Sequence, residues 1–290
     1  MALAAAYLLG GSNYAAIEFA LTGFEPFTML SLRFGTAAAM LAAIGCVFAE
    51  PGERARPVVA DVGLGIVLIG GTFGGIALAQ DQLSNSGFVA VVLATAPMWA
   101  GLFTVLAGVA LNGREWVGMA LGVSGVAMLV GLSAGGLNAA GVAFAFFAAL
   151  SLAAGSLIAK RLPAAPPRRA AAIQMASAAA AFALIAALLG ETLHASPPAV
   201  AVIALAHQAV LCSVVSYTAF VYLLANVRAP VATSFTYVNP IVAVVLGVAL
   251  LGEPLGPWRV LAIVTILFGV WLVLTTNAPR PVGRRLKSGG

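Results

Sequence analysis

The sequence predicts an all-α polytopic membrane protein in which ten transmembrane helices form two inverted five-helix repeats. The 290 residues are 62% hydrophobic and 8% charged, with a mean hydropathy of +1.07, whereas a soluble domain carries about a quarter charged residues. Apolar runs of at least about 18 residues recur along the chain, and each can cross a hydrocarbon core about 30 Å thick. Two stretches of the chain, about 142 residues apart, also resemble each other.

The apolar runs define the individual spans. Only helices and closed barrels satisfy every backbone polar group in lipid, and these runs lack the alternating pattern of barrel strands. We therefore expect ten helices, at residues 2–20, 26–48, 62–80, 87–110, 116–133, 139–159, 170–189, 199–224, 230–251 and 258–276.

The two halves of the chain share a proline inside a long apolar run. Pro97 lies in VVLATAPMWAGLFTVLAGVAL, and Pro240 lies in TSFTYVNPIVAVVLGVALLGEP. The same offset pairs Trp116 with Trp258. Because five is an odd number, the second unit enters the membrane from the opposite side. We expect residues 1–135 to form the first five-helix repeat, 136–278 the second, inverted repeat, and 279–290 a disordered cytoplasmic tail.

The basic residues predict the orientation in the membrane. With a cytoplasmic N-terminus, 12 of the 14 Lys and Arg residues fall in cytoplasmic loops or the tail, and only Arg33 and Arg259 do not. Positive charge marks the cytoplasmic ends of spans, so both termini are expected in the cytoplasm. The net charge of +5 reflects this topology, and no nucleic-acid partner is expected.

The cysteines and the first helix exclude other classes. Cys46 and Cys212 both lie inside apolar spans, where a thiol behaves as a small hydrophobic group, so neither a disulfide framework nor a metal site is indicated. No cofactor is expected. The first apolar segment has no Lys or Arg before Arg33, so it lacks the basic start of a cleaved signal peptide and is expected to be a retained helix.

Inverted repeats are typical of secondary transporters, whose substrate site lies where the repeats meet. The alternative explanation of the repeat is the duplication of a stable helical bundle without a transport function.

Polar residues inside spans usually face partners or cavities. Thr233, Thr236, Tyr237 and Pro240 share one helix face through their spacing. The predicted substrate-binding residues are Asn13, Tyr14, Gln80, Trp99, His207, Tyr217, Thr233, Thr236 and Tyr237.

Each of these residues has an alternative role in packing, because hydroxyl groups often bond their own helix and aromatic rings often lie at the membrane interface. His207 is a potential proton carrier or a hydrogen-bonded packing group.

Four further residues are predicted to act in gating or as hinges. Pro97 and Pro240 each remove a backbone hydrogen bond and permit bending, whereas Glu18 and Arg33 form either an ion pair or a gate or substrate-carboxylate contact.

The duplicated unit, and Pro240 followed by an apolar helix and Gly252-Glu253, resemble EamA-like exporters of the drug/metabolite transporter superfamily over essentially the whole chain. The first copy departs from this pattern at Asn112-Gly113-Arg114. The resemblance implies a multi-pass protein of the bacterial inner membrane, a monomer or homodimer, that exports small neutral or zwitterionic metabolites by alternating access. Amino acids, including the aromatic ones that YddG-type members export, are the expected substrates, and drugs or nucleotide sugars are the alternative.

Other function classes are less favoured. Gly122-Val123-Ser124-Gly125 matches the GxSG of intramembrane serine proteases, with His207 as a base, but this histidine does not follow a glycine. Neither Lys160 nor Lys287 follows a glycine, so the chain has no Walker A sequence for ATP binding. A structural or receptor membrane protein would not need two-sided pseudosymmetry. The protein is therefore expected not to be an enzyme.

Overall fold

The fold was analysed in a computed structural model, which describes residues 2–47, 57–82, 89, 92–130, 138–163, 165–193, 196–251 and 256–276. The elements described are almost entirely helices, which confirms the predicted all-α class. In chain order they are α1 (Ala2–Ala20), α2 (Pro26–Val47), α3 (Val58–Leu64), π1 (Gly65–Gly71), α4 (Thr72–Gln82), α5 (Ala96–Leu106), α6 (Gly113–Val130), α7 (Ala139–Arg161), α8 (Pro167–Leu189), α9 (Ala199–His207), π2 (Gln208–Tyr217), α10 (Thr218–Asn226), α11 (Ala229–Thr233), α12 (Phe235–Leu251) and α13 (Pro257–Leu274).

Several of these helices are long and apolar enough to cross a bilayer. Among the described residues, five stretches meet that requirement by length and composition, namely Pro26–Gly45, Val58–Gln80, Ala139–Arg161, Pro167–Leu189 and Ala199–Asn226. Ala96–Leu106 and Val260–Leu274 are shorter apolar helices. The predicted tail at 279–290 and Gly252-Glu253 lie outside the described residues.

Two of the long stretches contain a π-helical segment at corresponding places. Gly65–Gly71 joins α3 to α4, and Gln208–Tyr217 joins α9 to α10. The two segments start 143 positions apart, close to the offset between the two halves of the sequence. A π-helix widens the turn and commonly occurs near functional sites. Neither segment was predicted from the apolar pattern, which indicated uninterrupted helices.

The helix around Pro97 is also interrupted. The sequence predicts one helix over 87–110, whereas a turn at Ala94-Thr95 precedes α5, and Pro97 lies in its first helical turn. Proline is well tolerated there, because the first amides of a helix have no partner within it. The Thr95 hydroxyl donates to the carbonyl of Val92 at 2.6 Å and accepts from Nε1 of Trp99 at 3.0 Å. Pro240, by contrast, lies inside α12.

Contacts between helix ends define two faces of the bundle. On the first, which we call the Glu25 face, the backbone amides of Phe27 and Thr28 donate to the carboxylate of Glu191 at 3.2 and 2.7 Å. On the second, which we call the Asp61 face, Gln174 donates to Asp61 at 2.9 Å. Arg228 and Glu115 form an ion pair at the Asp61 face, where Arg228 also donates to the Thr276 carbonyl at 2.6 Å.

Pairs of helices from the two halves of the chain pack in opposite directions. Along α6, Gly118 contacts Gly269 of α13, and Gly125 contacts Ala262 and Ile266, so residue numbers rise on one helix as they fall on the other. The helices α2 and α8 likewise run antiparallel, since the start of α2 lies against the residues that follow α8. Small residues make these close approaches possible.

Candidate functional site

A central cavity with about 820 Å³ of empty space lies between the helices of both halves. Its walls come from α1, α2, π1, α4, α7, π2, α10 and α12, together with Leu93. The lining residues are Ala6, Gly10, Asn13, Ile17, Arg33, Leu68, Thr72, Phe73, Ile76, Gln80, Leu93, Leu152, Cys212, Ser216, Tyr217, Phe220, Phe235 and Asn239. Both π-helical segments contribute to this wall.

Four aromatic rings line the cavity wall. The ring of Phe220 packs edge-on against Phe235, with centroids 5.4 Å apart, and lies 5.8 Å from the ring of Tyr217. Phe73 lines the wall from α4 and packs edge-on against Phe34, with centroids 5.2 Å apart. Such a wall suits an apolar or aromatic group and fixes its position through shape.

Arg33 places a positive charge at this wall. Its side chain is 2% exposed, and its Nε donates to the Ser213 hydroxyl at 2.9 Å while Nη1 donates to Oε1 of Gln208 at 3.1 Å. The guanidinium carbon lies 4.7 and 4.9 Å from the ring centroids of Phe34 and Phe73, within the range of a cation–π interaction. These neutral partners hold the guanidinium in place without cancelling its charge.

Three polar atoms of the cavity wall are buried without a hydrogen-bond partner among the described residues. They are Oδ1 of Asn13, Oγ1 of Thr72 and Oδ1 of Asn239. Buried polar atoms in proteins are normally hydrogen-bonded, because an unmade bond costs about 1–3 kcal/mol. The cavity therefore presents hydrogen-bond acceptors to a ligand bound inside it.

A chain of hydrogen bonds separates the central cavity from the Asp61 face. Tyr217, which lines the cavity, donates its hydroxyl to Oε1 of Gln174 at 2.7 Å, and Nε2 of Gln174 donates to Asp61 at 2.9 Å. Gln174 also lines a second cavity, with about 690 Å³ of empty space, beside Lys160 and Leu224. The contact between Tyr217 and Gln174 thus lies between two cavities.

On the opposite side, another cavity adjoins the central cavity toward the Glu25 face. A neighbouring cavity with about 580 Å³ of empty space shares Ile17, Phe73, Ile76 and Gln80 with it and reaches Leu21 and Pro26. Pro26 begins α2 at the Glu25 face. The central cavity therefore adjoins another cavity on the side of the Glu25 face, whereas the Tyr217–Gln174 contact separates it from the cavity on the side of the Asp61 face.

Four of the residues predicted from the sequence line the central cavity: Asn13, Gln80, Tyr217 and Arg33. The residues predicted on α11 and α12 lie outside its lining. The hydroxyls of Thr233 and Thr236 donate to the carbonyls of Ala229 and Thr233 at 2.8 and 3.0 Å, and the hydroxyl of Tyr237 donates to the Met119 carbonyl at 3.3 Å. The ring of Tyr237 packs against Gly122 of α6.

Trp99 and His207 also lie outside the cavity lining. Trp99 packs beside Ala100, Ala153 and Ala229. The Nε2 atom of His207 lies 3.5 Å from the Ser12 hydroxyl of α1.

The remaining predicted residues are the gating candidates and one tyrosine. Pro97 and Pro240 are both buried. The side chains of Tyr14 and Glu18 lie outside the described part of the structure, so the predicted pair of Glu18 with Arg33 stays a prediction.

Sequence reasoning missed Asn239, Thr72 and the phenylalanines of the wall. The signal for two of them was present, because Phe235 and Asn239 are four residues apart and share a helix face. That face neighbours the one that carries Thr236 and Pro240. Phenylalanine in an apolar run gives no sign of whether it meets lipid or a cavity, so the aromatic wall required the structure.

The sequence profile of the EamA-like transporter family matches residues 1–131 and 139–275. Together these matches cover nearly the whole chain. The chain belongs to the EamA-like transporter family. Its relatives are transporters, in agreement with the predicted class.

Several proteins similar to this EamA-like chain are named transporters. The uncharacterized inner membrane transporter YedA of Escherichia coli K12 is 34% identical over 274 residues, which cover 94% of this chain and 89% of YedA. YedA of Escherichia coli O157:H7 matches to the same extent. One protein with a known crystal structure aligns with this chain with a TM-score of 0.79 at 20% sequence identity. The alignment covers 93% of this chain and 94% of the other chain, so the two proteins share a fold.

Proposed function

We propose that this EamA-like protein is a secondary transporter that exports small neutral or zwitterionic metabolites, chiefly amino acids including aromatic ones, by alternating access through the central cavity. The observation that carries the proposal is the cavity itself. Helices from both halves enclose it, four aromatic rings line it, and polar atoms that are buried without a partner among the described residues point to a polar ligand.

Arg33 and the uncharged remainder of the wall support the substrate class. Among the described lining residues, Arg33 is the one side chain that carries a formal charge. A substrate with several negative charges would meet one cation in an otherwise uncharged wall, so the cost of removing its charges from water would be largely uncompensated. A zwitterion or neutral molecule matches this environment better. We therefore rank drugs and nucleotide sugars below amino acids.

The packing of the helices supports two inverted five-helix repeats. The family matches fall on 1–131 and 139–275, close to the proposed repeats 1–135 and 136–278. Exchanging each helix for its counterpart preserves the neighbours: π1 packs on α7 as π2 packs on α1, and α5 packs on α7 as α12 packs on α1. The paired helices α6 and α13 run antiparallel, as inversion requires.

The two cavities on either side of Gln174 support alternating access. In this conformation the central cavity adjoins another cavity toward the Glu25 face, and the Tyr217–Gln174 hydrogen bond separates it from the cavity near Lys160. Opening that contact while the Glu25 side closes would expose the same binding site to the other face. The proposed hinges are Pro97 and Pro240, and Glu18 and Arg33 are proposed to act at the gate.

Membrane location and orientation are proposed from the sequence and the relatives. YedA is named an inner membrane transporter, and we propose the same membrane for this chain, with both termini in the cytoplasm as the basic residues indicate. The Asp61 face is then cytoplasmic. The working unit is proposed to be a monomer or a homodimer.

A protease function is disfavoured by the position of Ser124. This side chain is exposed on α6, which packs mainly on α13, whereas His207 ends α9, which packs on α1. A serine nucleophile must lie within hydrogen-bond reach of its base.

Transport by the purified protein in proteoliposomes tests the proposal. Vesicles loaded with unlabelled L-phenylalanine should take up labelled L-phenylalanine by exchange, whereas protein-free vesicles should not. UDP-glucose and a cationic drug such as tetraphenylphosphonium should compete weakly. Exchange of UDP-glucose or of the drug, with none of any amino acid, would overturn the proposed substrate class.

A further inference from the structure

We infer that the central cavity holds the two charged ends of a free α-amino acid in fixed places, with the carboxylate at Arg33 and the ammonium group at the amide oxygens of Asn13 and Asn239. The inference rests on the proposed function and names the groups of that site that recognise the charges of the substrate. It assigns a binding role to Asn239, which the sequence did not single out.

Arg33 is suited to the carboxylate because its charge has no counter-ion among the described residues. The partners of its Nε and Nη1 atoms, Ser213 and Gln208, are neutral. The ion pair between Arg228 and Glu115 lies at the Asp61 face. A buried cation within a membrane is costly unless it is paired. A substrate carboxylate would provide a counter-charge and accept charge-assisted hydrogen bonds.

Asn239 is suited to the ammonium group because its oxygen is an acceptor without a donor. The residue is 5% exposed, lines the cavity and has no described hydrogen-bond partner at Oδ1. A Cβ atom at Gly10 would lie 2.8 Å from that oxygen, so the neighbouring helix holds the amide in place. Oδ1 of Asn13 is in the same situation. An ammonium group carries three donors and can satisfy both oxygens at once.

The aromatic wall is suited to the side chain of the substrate. Phe73, Phe220 and Phe235 line the same cavity as Arg33 and Asn239. A molecule held at both charged ends presents its side chain to these rings, and large apolar side chains gain the most from such burial. L-Phenylalanine is therefore the appropriate probe.

Binding of L-phenylalanine and of two analogues that each lack one charged end tests the inference. The full-length protein is purified in nanodiscs, and affinities are measured by isothermal titration calorimetry. Phenethylamine lacks the carboxylate, and 3-phenylpropionate lacks the ammonium group. Each analogue should bind at least about tenfold more weakly than L-phenylalanine, the loss expected for one charge-assisted contact.

Two variants assign each charged end to its residue. Arg33→Gln should weaken L-phenylalanine and 3-phenylpropionate about tenfold and leave phenethylamine unchanged, and Arg33→Lys should restore part of the loss. Asn239→Leu should weaken L-phenylalanine and phenethylamine and leave 3-phenylpropionate unchanged. Arg114→Gln and Asn226→Leu change the same residue types at exposed positions, and both should bind as the wild type does.

The outcomes separate this inference from the proposed function. Unchanged discrimination between L-phenylalanine and phenethylamine in Arg33→Gln would overturn the inference, as would an equal loss of all three ligands in both variants. Neither result would affect amino acid exchange by the wild type. The wild type could instead exchange another neutral metabolite and bind no amino acid. That result would refute both this inference and the proposed amino acid substrate, but not the proposal that the protein transports a metabolite through the cavity.

Discussion

Gly118 of α6 and Gly269 of α13 pack against each other so closely that a Cβ atom added to either glycine would lie 2.6 Å from the carbonyl oxygen of the other. The contact is reciprocal, as expected where two antiparallel helices cross near a pseudo-two-fold axis. It joins the last helix of one proposed repeat to the last helix of the other. Only glycine permits this approach, because any side chain would push the two backbones apart.

Gly118→Ala should therefore destabilise the protein by about 1–3 kcal/mol, the typical cost of overpacking. The measurement is the thermal unfolding midpoint in detergent. Gly45→Ala is the matched control, since a Cβ atom there has no neighbour within 4 Å and alanine favours the helix. An equal midpoint for wild type and Gly118→Ala would show that α6 and α13 do not approach as described.

The ion pair of Glu115 with Arg228 should stabilise the Asp61 face. Glu115 is fully buried, and Arg228 also donates to the carbonyls of Val273 and Thr276 at the end of α13. Glu115→Gln leaves the guanidinium without its counter-charge, so the free energy of unfolding should fall by about 3 kcal/mol. Thermal unfolding checks this, with Glu25→Gln at the opposite face as a comparison that should cost less. A larger loss in Glu25→Gln would contradict the assignment.

The hydrogen bond of Tyr217 with Gln174 should keep the Asp61 side closed. Tyr217→Phe removes this bond and leaves the ring in place, so the population open toward the Asp61 face should rise. A cysteine introduced at the buried Leu224, in a background with Cys46 and Cys212 replaced by serine, should then react faster with a maleimide. Tyr222→Phe is the control, since Tyr222 lies on α10 as Leu224 does and is 48% exposed. Equal labelling of both variants would rule out this gate.

Pro240 should influence the rate of conformational exchange more than substrate affinity. It lies buried inside α12, where the missing amide leaves the carbonyl of Thr236 without its helical donor. Pro240→Ala makes that bond available and should slow transport severalfold with little change in equilibrium binding. Pro97→Ala should have a smaller effect, because Pro97 lies in the first turn of α5. Unchanged transport in both variants would leave the prolines a role in packing alone.

The long helices were predictable because their apolar runs are continuous. The expected spans 2–20, 26–48 and 139–159 correspond to Ala2–Ala20, Pro26–Val47 and Ala139–Arg161. Hydropathy reports the length of a helix in lipid directly. The placement of Pro97 and Pro240 inside two similar apolar runs was also visible in the sequence, whereas the turn before α5 was not.

The details of the cavity depend on pairs of residues that are distant in sequence. Asp61 was placed outside the third span, yet the helix begins at Val58 and buries this carboxylate fully against Gln174. A polar residue in an apolar run can bond its own backbone, as Thr233 does, or face a cavity, as Asn239 does. Hydropathy does not distinguish these cases, because the neighbouring helices decide between them.

The most direct test of the central claim is L-phenylalanine exchange by proteoliposomes that contain a variant with a blocked cavity. Ser216 lines the cavity and is 8% exposed, so Ser216→Trp should fill the space and abolish exchange. Ser124→Trp adds the same side chain on the exposed surface of α6 and should exchange at the wild-type rate. Both variants are first shown to be folded by their thermal midpoints. Wild-type exchange in Ser216→Trp would show that the substrate does not pass through this cavity.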